Sequence, residues 1–119
     1  MASRNEDEWT TRRKRVEKAL REAGWRPIVD FAKGAKYDTA AVREYETDEG
    51  PADYVLFHNG VAVASVEAKK VGLGPQNVLS QALRYARGFR DGKFKFGEFY
   101  LPFAYSTNGE VFWHRDLRG

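Results

Sequence analysis

Cysteine is missing from this sequence of 119 residues, and histidine occurs only at His58 and His114. A disulfide framework and a zinc site built on thiolates are therefore excluded, and a site made of several histidines is not expected. Any metal ion must then be bound by carboxylates. Oxygen ligands of this kind favour hard cations such as Mg²⁺, Mn²⁺ or Ca²⁺.

Long apolar runs are missing as well, and no stretch approaches the roughly 20 residues that span a bilayer. The opening segment, Met1 to Trp9, is polar and acidic and is not typical of a signal peptide. We therefore expect a soluble, cytoplasmic protein without a membrane partner. The formal net charge of +3 permits nucleic acid as a partner but does not require it.

The length and the 42% hydrophobic content suit one domain over residues 1–119. Apolar residues at helical spacing predict a first helix over residues 7–23 and a second over residues 76–89. Strands are predicted at residues 27–31, 41–47, 52–57 and 61–68, with closing strands at 99–106 and 111–114. Gly50-Pro51 is expected to break the chain before the third strand. The order predicts an α/β domain with a mixed central sheet flanked by helices.

The strands at 52–57 and 61–68 carry the residues with candidate chemistry. Asn59-Gly60 between two apolar runs is a strong hairpin signal, so both strands run back from one turn. Asp53 begins the first strand and Glu67 ends the second, which brings the two carboxylates close together. Lys69 is two residues beyond Glu67 and points to the same face of the strand.

Phosphodiester hydrolysis uses this combination of groups. Asp53 and Glu67 can hold a divalent cation, which neutralises a phosphate oxygen and lowers the pKa of bound water. Lys69 can orient the attacking water or offset charge in the transition state. The valines around Glu67 predict a largely buried strand. A charge there is unfavourable unless it is paired or binds a metal ion. A buried ion pair between Glu67 and Lys69 is the structural alternative.

The register of the hairpin decides whether the two acids can share a cation. With a plain two-residue turn, Asp53 would lie opposite Val66, and Asp53 and Glu67 would point to opposite faces of the sheet. A shared site therefore predicts a three-residue turn, a β-bulge between the turn and the site, or a break in regular pairing at Asp53.

Several motifs also occur together in one order. They are Glu8, Thr11 and Arg12 with Ala23-Gly24-Trp25, then Arg43-Glu44-Tyr45, Gly50 to Leu56, Val66 to Lys69, Gln81 to Ala86, and Phe103 to Gly109. Over nearly the whole chain, these motifs resemble the N-terminal PD-(D/E)XK nuclease domain of the restriction (DNA-translocating) subunit of type I restriction-modification enzymes.

The resemblance implies a restriction-endonuclease-like fold and cleavage of double-stranded DNA that depends on Mg²⁺ or Mn²⁺. Asp53 and Glu67 would be metal ligands together with the backbone carbonyl of Ala68, and Lys69 would be the catalytic lysine. Glu8 would be an acid that the first helix adds to the site.

The second predicted helix carries the accessory residues that the resemblance implies. Gln81 and Tyr85 are four residues apart, so they share a helix face, and they would lie near the DNA or the active site. Arg84, Arg87 and Arg90 recur every third residue and form a ridge that could meet phosphates. A solvated helix face is the alternative for this ridge.

The family's motor is missing, because the sequence has no phosphate-binding loop of the G-x-x-x-x-G-K-[ST] type. The chain is then either an excised domain or a stand-alone relative, and a translocase motor and other restriction-modification subunits are expected partners. Three interpretations stay open: an endonuclease, a DNA- or subunit-binding module on the nuclease fold without useful activity, and a homodimeric resolvase or repair nuclease. The intact Asp53, Glu67 and Lys69 favour the endonuclease.

Overall fold

The computed structural model describes residues 4–68, 75–89, 95–107 and 111–118, with the backbone alone at residues 4–9, 11–12, 75–79 and 81. The elements are α1 (Arg4–Glu22), β1 (Ile28–Asp30), β2 (Ala40–Thr47), β3 (Gly50–His58), β4 (Val61–Ala68), α2 (Pro75–Gly88), β5 (Phe103–Thr107) and β6 (Phe112–Asp116). Neither helix within these ranges is long and apolar enough to cross a membrane.

The strands of the described ranges form one mixed sheet in the order β1-β2-β3-β4-β5-β6. The β1–β2 and β4–β5 pairs are parallel, and the other neighbours are antiparallel. The parallel β4 and β5 need a crossover connection, and α2 lies within it. The predicted mixed α/β sheet with two helices is confirmed.

The two helices cover opposite faces of the sheet. On the first, which we call the α1 face, Val16 and Leu20 pack against Tyr54, Leu56 and Val66. On the second, the α2 face, Ala82 and Ala86 of α2 pack against strand residues that alternate with those of the α1 face. These strand residues include Val55 and Ala104. Successive strand residues point to opposite faces, so this partition fixes where each side chain of β3 and β4 points.

The predicted chain break at Gly50-Pro51 is wrong, since β3 begins at Gly50 and pairs with Thr47. The turn lies one step earlier, at Asp48 and Glu49. Gly50 adopts the positive φ of 105° that closes the turn. The Thr47 hydroxyl accepts a hydrogen bond from the Glu49 amide and donates one to the Gly50 carbonyl.

The predicted strand at 99–106 begins later than expected, because β5 starts only at Phe103. The preceding residues contact α2 instead. The Tyr100 amide donates a hydrogen bond to the Ala86 carbonyl, and Leu101 is fully buried in the core on the α2 face. Pro102 has no N–H to offer a neighbouring strand. The predicted last strand, 111–114, is observed at Phe112–Asp116.

Candidate active site

A two-residue turn joins β3 to β4. His58 pairs with Val61, and Asn59 and Gly60 between them have φ values of 49° and 83°. Positive φ at both central positions is typical of a type I′ turn, and glycine adopts it without steric cost. A plain continuation from this turn would put Asp53 opposite Val66.

A β-bulge changes that register. Phe57 lies opposite Ala62, whereas Leu56 lies opposite Ala64, so Val63 is an extra residue on β4. A bulge of this kind turns every later side chain of the strand to the other face. Of the three features that a shared site predicted, the structure has the β-bulge between the turn and the site.

The bulge brings Asp53 and Glu67 to one face. The last regular pair of the hairpin joins Tyr54 to Val66, and both residues belong to the core on the α1 face. Their neighbours Asp53 and Glu67 therefore both point to the α2 face. Without the extra residue, one of the two carboxylates would lie beneath α1.

Asp53 is also held against the end of β4. Its carboxylate oxygen Oδ2 accepts a hydrogen bond of 2.8 Å from the backbone N–H of Ala68, the residue next to Glu67. Asp53 is half-buried, and Glu67 is 2% exposed. A carboxylate taken out of water in this way must be compensated by hydrogen bonds, a cation or a proton.

Tyr85 of α2 packs against the core on the α2 face, near these two acids. Burial is the main cause that raises the pKa of its phenol, and the negative charges of Glu67 and Asp53 raise it further. Its hydroxyl is therefore protonated at neutral pH and can donate a hydrogen bond into the site. The accessory role of Tyr85 stays a prediction.

A third carboxylate, which the sequence did not single out as a site residue, lies beside Asp53. In the β2–β3 pairing, Arg43 lies opposite Tyr54 and Tyr45 lies opposite Ala52. Glu44 and Asp53 lie between these two pairs but are not regularly paired. Glu44 has a φ of 52°, which is rare for a residue other than glycine inside a strand. Burial, and after it the charge of Asp53, raises the pKa of Glu44.

A network of polar contacts fixes α1 on the sheet next to this region. The Glu17 carboxylate accepts two hydrogen bonds from Arg43, at 2.8 and 2.7 Å, and one of 2.8 Å from the Tyr54 hydroxyl. Arg13 donates to the Tyr54 hydroxyl at 3.3 Å and lies 3.6 Å from the Glu44 carboxylate. The network links α1, β2 and β3 and reaches Glu44, the neighbour of Asp53.

The arginines of α2 are exposed. This exposure agrees with both interpretations of the ridge, a phosphate-binding surface and a solvated helix face. Arg87 lies 3.6 Å from the Glu98 carboxylate, and its guanidinium is stacked 5.6 Å from the centre of the Phe99 ring. Arg84 is close enough to Tyr85 for its positive charge to oppose the rise of the phenol pKa.

Four predicted site residues remain. Lys69 and Arg90 lie outside the described residues, and so do the side chains of Glu8 and Gln81. The predicted roles of these residues therefore stay predictions.

The donor set of the described residues suits a hydrated hard cation. No three carboxylate or imidazole groups within the described ranges converge on one point as an all-protein cage. Mg²⁺ usually keeps several waters and takes only one or two carboxylates together with phosphate oxygens. Asp53 and Glu67, with the Ala68 carbonyl, could supply that partial set.

Comparison with known proteins identifies the family. A family model described as "Type I restriction enzyme EcoKI endonuclease subunit second domain" matches residues 28–118. The chain belongs to this family. The matched region begins at β1 and includes Asp53, Glu67 and Tyr85, whereas α1 precedes it. The resemblance to the restriction subunit of type I enzymes is confirmed.

A curated relative agrees with this family assignment. The type I restriction enzyme EcoKI endonuclease subunit of Escherichia coli (strain K12) is 27% identical over 137 aligned positions, which cover 82% of this chain. The same alignment covers only 12% of the relative, so the chain corresponds to a small part of that subunit. No solved structure matches the chain.

Proposed function

We propose that this chain is the metal-dependent endodeoxyribonuclease domain of a type I restriction system, with a PD-(D/E)XK active site. One observation carries the proposal: the β-bulge at Val63 puts Asp53 and Glu67 on the same face, with Asp53 held at the Ala68 amide. The membership in a restriction endonuclease subunit family supports a restriction-related role. The proposed partners are double-stranded DNA, a translocase motor and other restriction-modification subunits.

The proposed cofactor is Mg²⁺ or Mn²⁺, held by Asp53, Glu67 and the Ala68 carbonyl. Such a cation would neutralise a phosphate oxygen and lower the pKa of water bound to it. The Ala68 amide fixes the orientation of the Asp53 carboxylate, so little reorganisation is needed on binding. Glu67 is buried, and its interaction with a cation is stronger there than in water.

Two further side chains have proposed roles in the reaction. Tyr85 is protonated and lies on the α2 face, to which both acids point, so it can donate a hydrogen bond to a phosphate oxygen of the DNA. Lys69 follows Glu67 by two residues and is proposed to orient the attacking water or to offset charge in the transition state. Arg84 and Arg87 are exposed on α2 and could bind DNA phosphates.

A nicking assay on supercoiled plasmid tests the proposal. The full chain is incubated with DNA in Mg²⁺, in Mn²⁺ and in a chelator, beside Asp53→Asn, Glu67→Gln and Lys69→Ala. We expect wild type to nick only with the cation, and each variant to lose that activity. Asp38→Asn changes an exposed acid at the far end of the hairpin and is the matched control, which should cut like wild type.

Calorimetric titration with Mn²⁺ separates the nuclease from a binding module. Binding by wild type that is lost in Glu67→Gln supports the metal site even if the isolated chain cuts slowly. A chain that binds duplex DNA but neither binds Mn²⁺ nor nicks would be a binding module instead. Light scattering that shows a dimer, together with cleavage specific for branched DNA, would favour a resolvase.

A further inference from the structure

Ser106 lies beside Glu67 in the sheet. The parallel β4–β5 register places Glu67 next to Ser106, just as it places Ser65 next to Ala104, a residue of the core on the α2 face. Partners in this register share a face, so the Ser106 side chain points to the same side as Glu67 and Asp53. Ser106 is fully buried.

The Ser106 hydroxyl differs from the other buried hydroxyls of this region. Its oxygen makes no hydrogen bond within the part of the chain that the structure describes. Ser65, on the same face, donates to the Ala82 carbonyl at 3.0 Å, and Thr107 donates to the Val111 carbonyl at 2.8 Å. A buried hydroxyl without a partner destabilises a fold, so its position next to a buried carboxylate requires an explanation.

We propose that Ser106 is a positioning residue of the metal site, whose hydroxyl binds a water molecule in the hydration shell of the cation beside Glu67. The inference rests on the proposed metal site and adds a residue to it. Mg²⁺ and Mn²⁺ bound by few protein ligands retain water molecules. An ordered water in a protein makes about two to four hydrogen bonds to polar groups. A serine hydroxyl both donates and accepts, so it can hold such a water in one orientation.

A comparison of two serine variants tests this role. We expect Ser106→Ala to bind Mn²⁺ about 5- to 10-fold more weakly in calorimetry, as the loss of one water-mediated contact predicts. Without metal, its melting temperature should equal or exceed that of wild type, because the hydroxyl makes no hydrogen bond with any residue that the structure describes. Ser65→Ala, the matched control, should show the reverse: a lower melting temperature without metal and unchanged Mn²⁺ affinity.

A second substitution separates the hydroxyl from the volume of the side chain. Ser106→Cys keeps the approximate size but is a weak hydrogen-bond donor, so it should bind Mn²⁺ as weakly as Ser106→Ala. Ser106→Thr retains the hydroxyl and should bind Mn²⁺ nearly as well as wild type.

The possible results distinguish this inference from the proposed function. If wild type does not bind Mn²⁺, the metal site itself is wrong, and the role of Ser106 is overturned with it. If wild type binds and Ser106→Ala binds equally well, only the role of Ser106 is overturned. A Ser106→Ala chain that is destabilised without metal as much as Ser65→Ala would show that the hydroxyl has a structural role, which also overturns the inference.

Discussion

The carboxylate of Asp53 accepts a hydrogen bond from the backbone amide of Ala68, so the first acid of the site is tied to the strand that carries the second. Asp53 therefore has two opposing effects on a metal-free chain. Its oxygen satisfies a backbone donor of a buried residue, which stabilises the fold. Its charge lies near Glu67 and Glu44, which destabilises the fold when no cation is present.

Two substitutions of Asp53 separate these effects. Asp53→Asn retains an oxygen that can accept from the Ala68 amide but removes the charge, so its stability without metal should equal that of wild type or exceed it by up to about 1–2 kcal/mol. Asp53→Ala leaves that amide without its acceptor and should be less stable than Asp53→Asn by about 1–3 kcal/mol. Urea unfolding in the presence of a chelator measures both differences.

Addition of Mg²⁺ completes this comparison. It should raise the melting temperature of wild type more than that of Asp53→Asn, since binding to the folded state stabilises it. Equal losses of metal-free stability in Asp53→Asn and Asp53→Ala would show that the charge of Asp53, rather than its acceptor oxygen, stabilises the fold.

Tyr85→Phe tests the phenol near the two acids. Its pKa is raised, so Tyr85 stays protonated through neutral pH and is able to donate a hydrogen bond. Removal of the hydroxyl should lower the rate of metal-dependent nicking about 10-fold, the effect of one lost hydrogen bond of roughly 1.4 kcal/mol. The melting temperature should change little, because the ring is retained.

Tyr100→Phe removes a half-buried phenol elsewhere in the chain and is the control for Tyr85→Phe. Nicking by Tyr85→Phe at the wild-type rate would contradict a role for this hydroxyl in the reaction.

The hairpin shows how far sequence reasoning could go. The Asn59-Gly60 turn followed from the residue types alone. The period of two along a strand predicted that a three-residue turn, a bulge or a break in pairing must correct the register. The position of the bulge at Val63 did not follow from the sequence, because Val61 to Ala64 are all small and apolar, and their pattern does not distinguish the two faces of the strand. Only the packing of the sheet between two helices selects the register.

The residues around Asp53 could not be predicted for a related reason. The left-handed conformation of Glu44 has no signal in the residue type, since asparagine or glycine would be expected there. Gly50-Pro51 was interpreted as a chain break, yet Gly50 closes a turn and begins a strand. Both features depend on contacts between strands that are distant in the sequence.

The ion pair beneath α1 gives a prediction on pH. Hydrogen bonds from Arg43 are the main cause that lowers the pKa of Glu17 below its ordinary value of 4.5. A carboxyl with a lowered pKa stabilises the folded state above its unfolded pKa, and this stabilisation is lost as the pH falls through the folded pKa. Glu17→Gln should therefore cost about 1.5–3 kcal/mol at pH 7.

Urea unfolding of wild type and Glu17→Gln at several pH values measures that loss. The difference between them should shrink as the pH falls from about 5 toward 3, where Glu17 becomes protonated. Glu22→Gln, an exposed acid on the same helix, is the control and should change stability by less than about 0.5 kcal/mol. A constant difference down to pH 3 would show that Glu17 stabilises the fold by shape instead of charge.

Glu44 gives the last prediction, because its backbone and its charge both oppose the stability of the metal-free chain. A φ of 52° is unfavourable for glutamate, and its carboxylate lies near that of Asp53. Asparagine tolerates this conformation and has no charge. Glu44→Asn should therefore raise the free energy of unfolding without metal by about 0.5–1 kcal/mol. Its loss of the exposed contact with Arg13, at 3.6 Å, should matter little.

At the proposed metal site, the charge of Glu44 should favour binding of the cation. A negative group beside Asp53 raises the local concentration of cations, so Glu44→Asn should bind Mn²⁺ about two- to fivefold more weakly, with a difference that shrinks as salt is raised.

Glu44→Val is the matched control for the backbone, since a β-branched residue is poorly suited to positive φ and should lower stability by about 1–2 kcal/mol. A less stable Glu44→Asn, together with a Glu44→Val as stable as wild type, would contradict a left-handed conformation at residue 44. A gain in stability together with weaker Mn²⁺ binding would instead show that the strand retains an unfavourable residue because the site needs its charge.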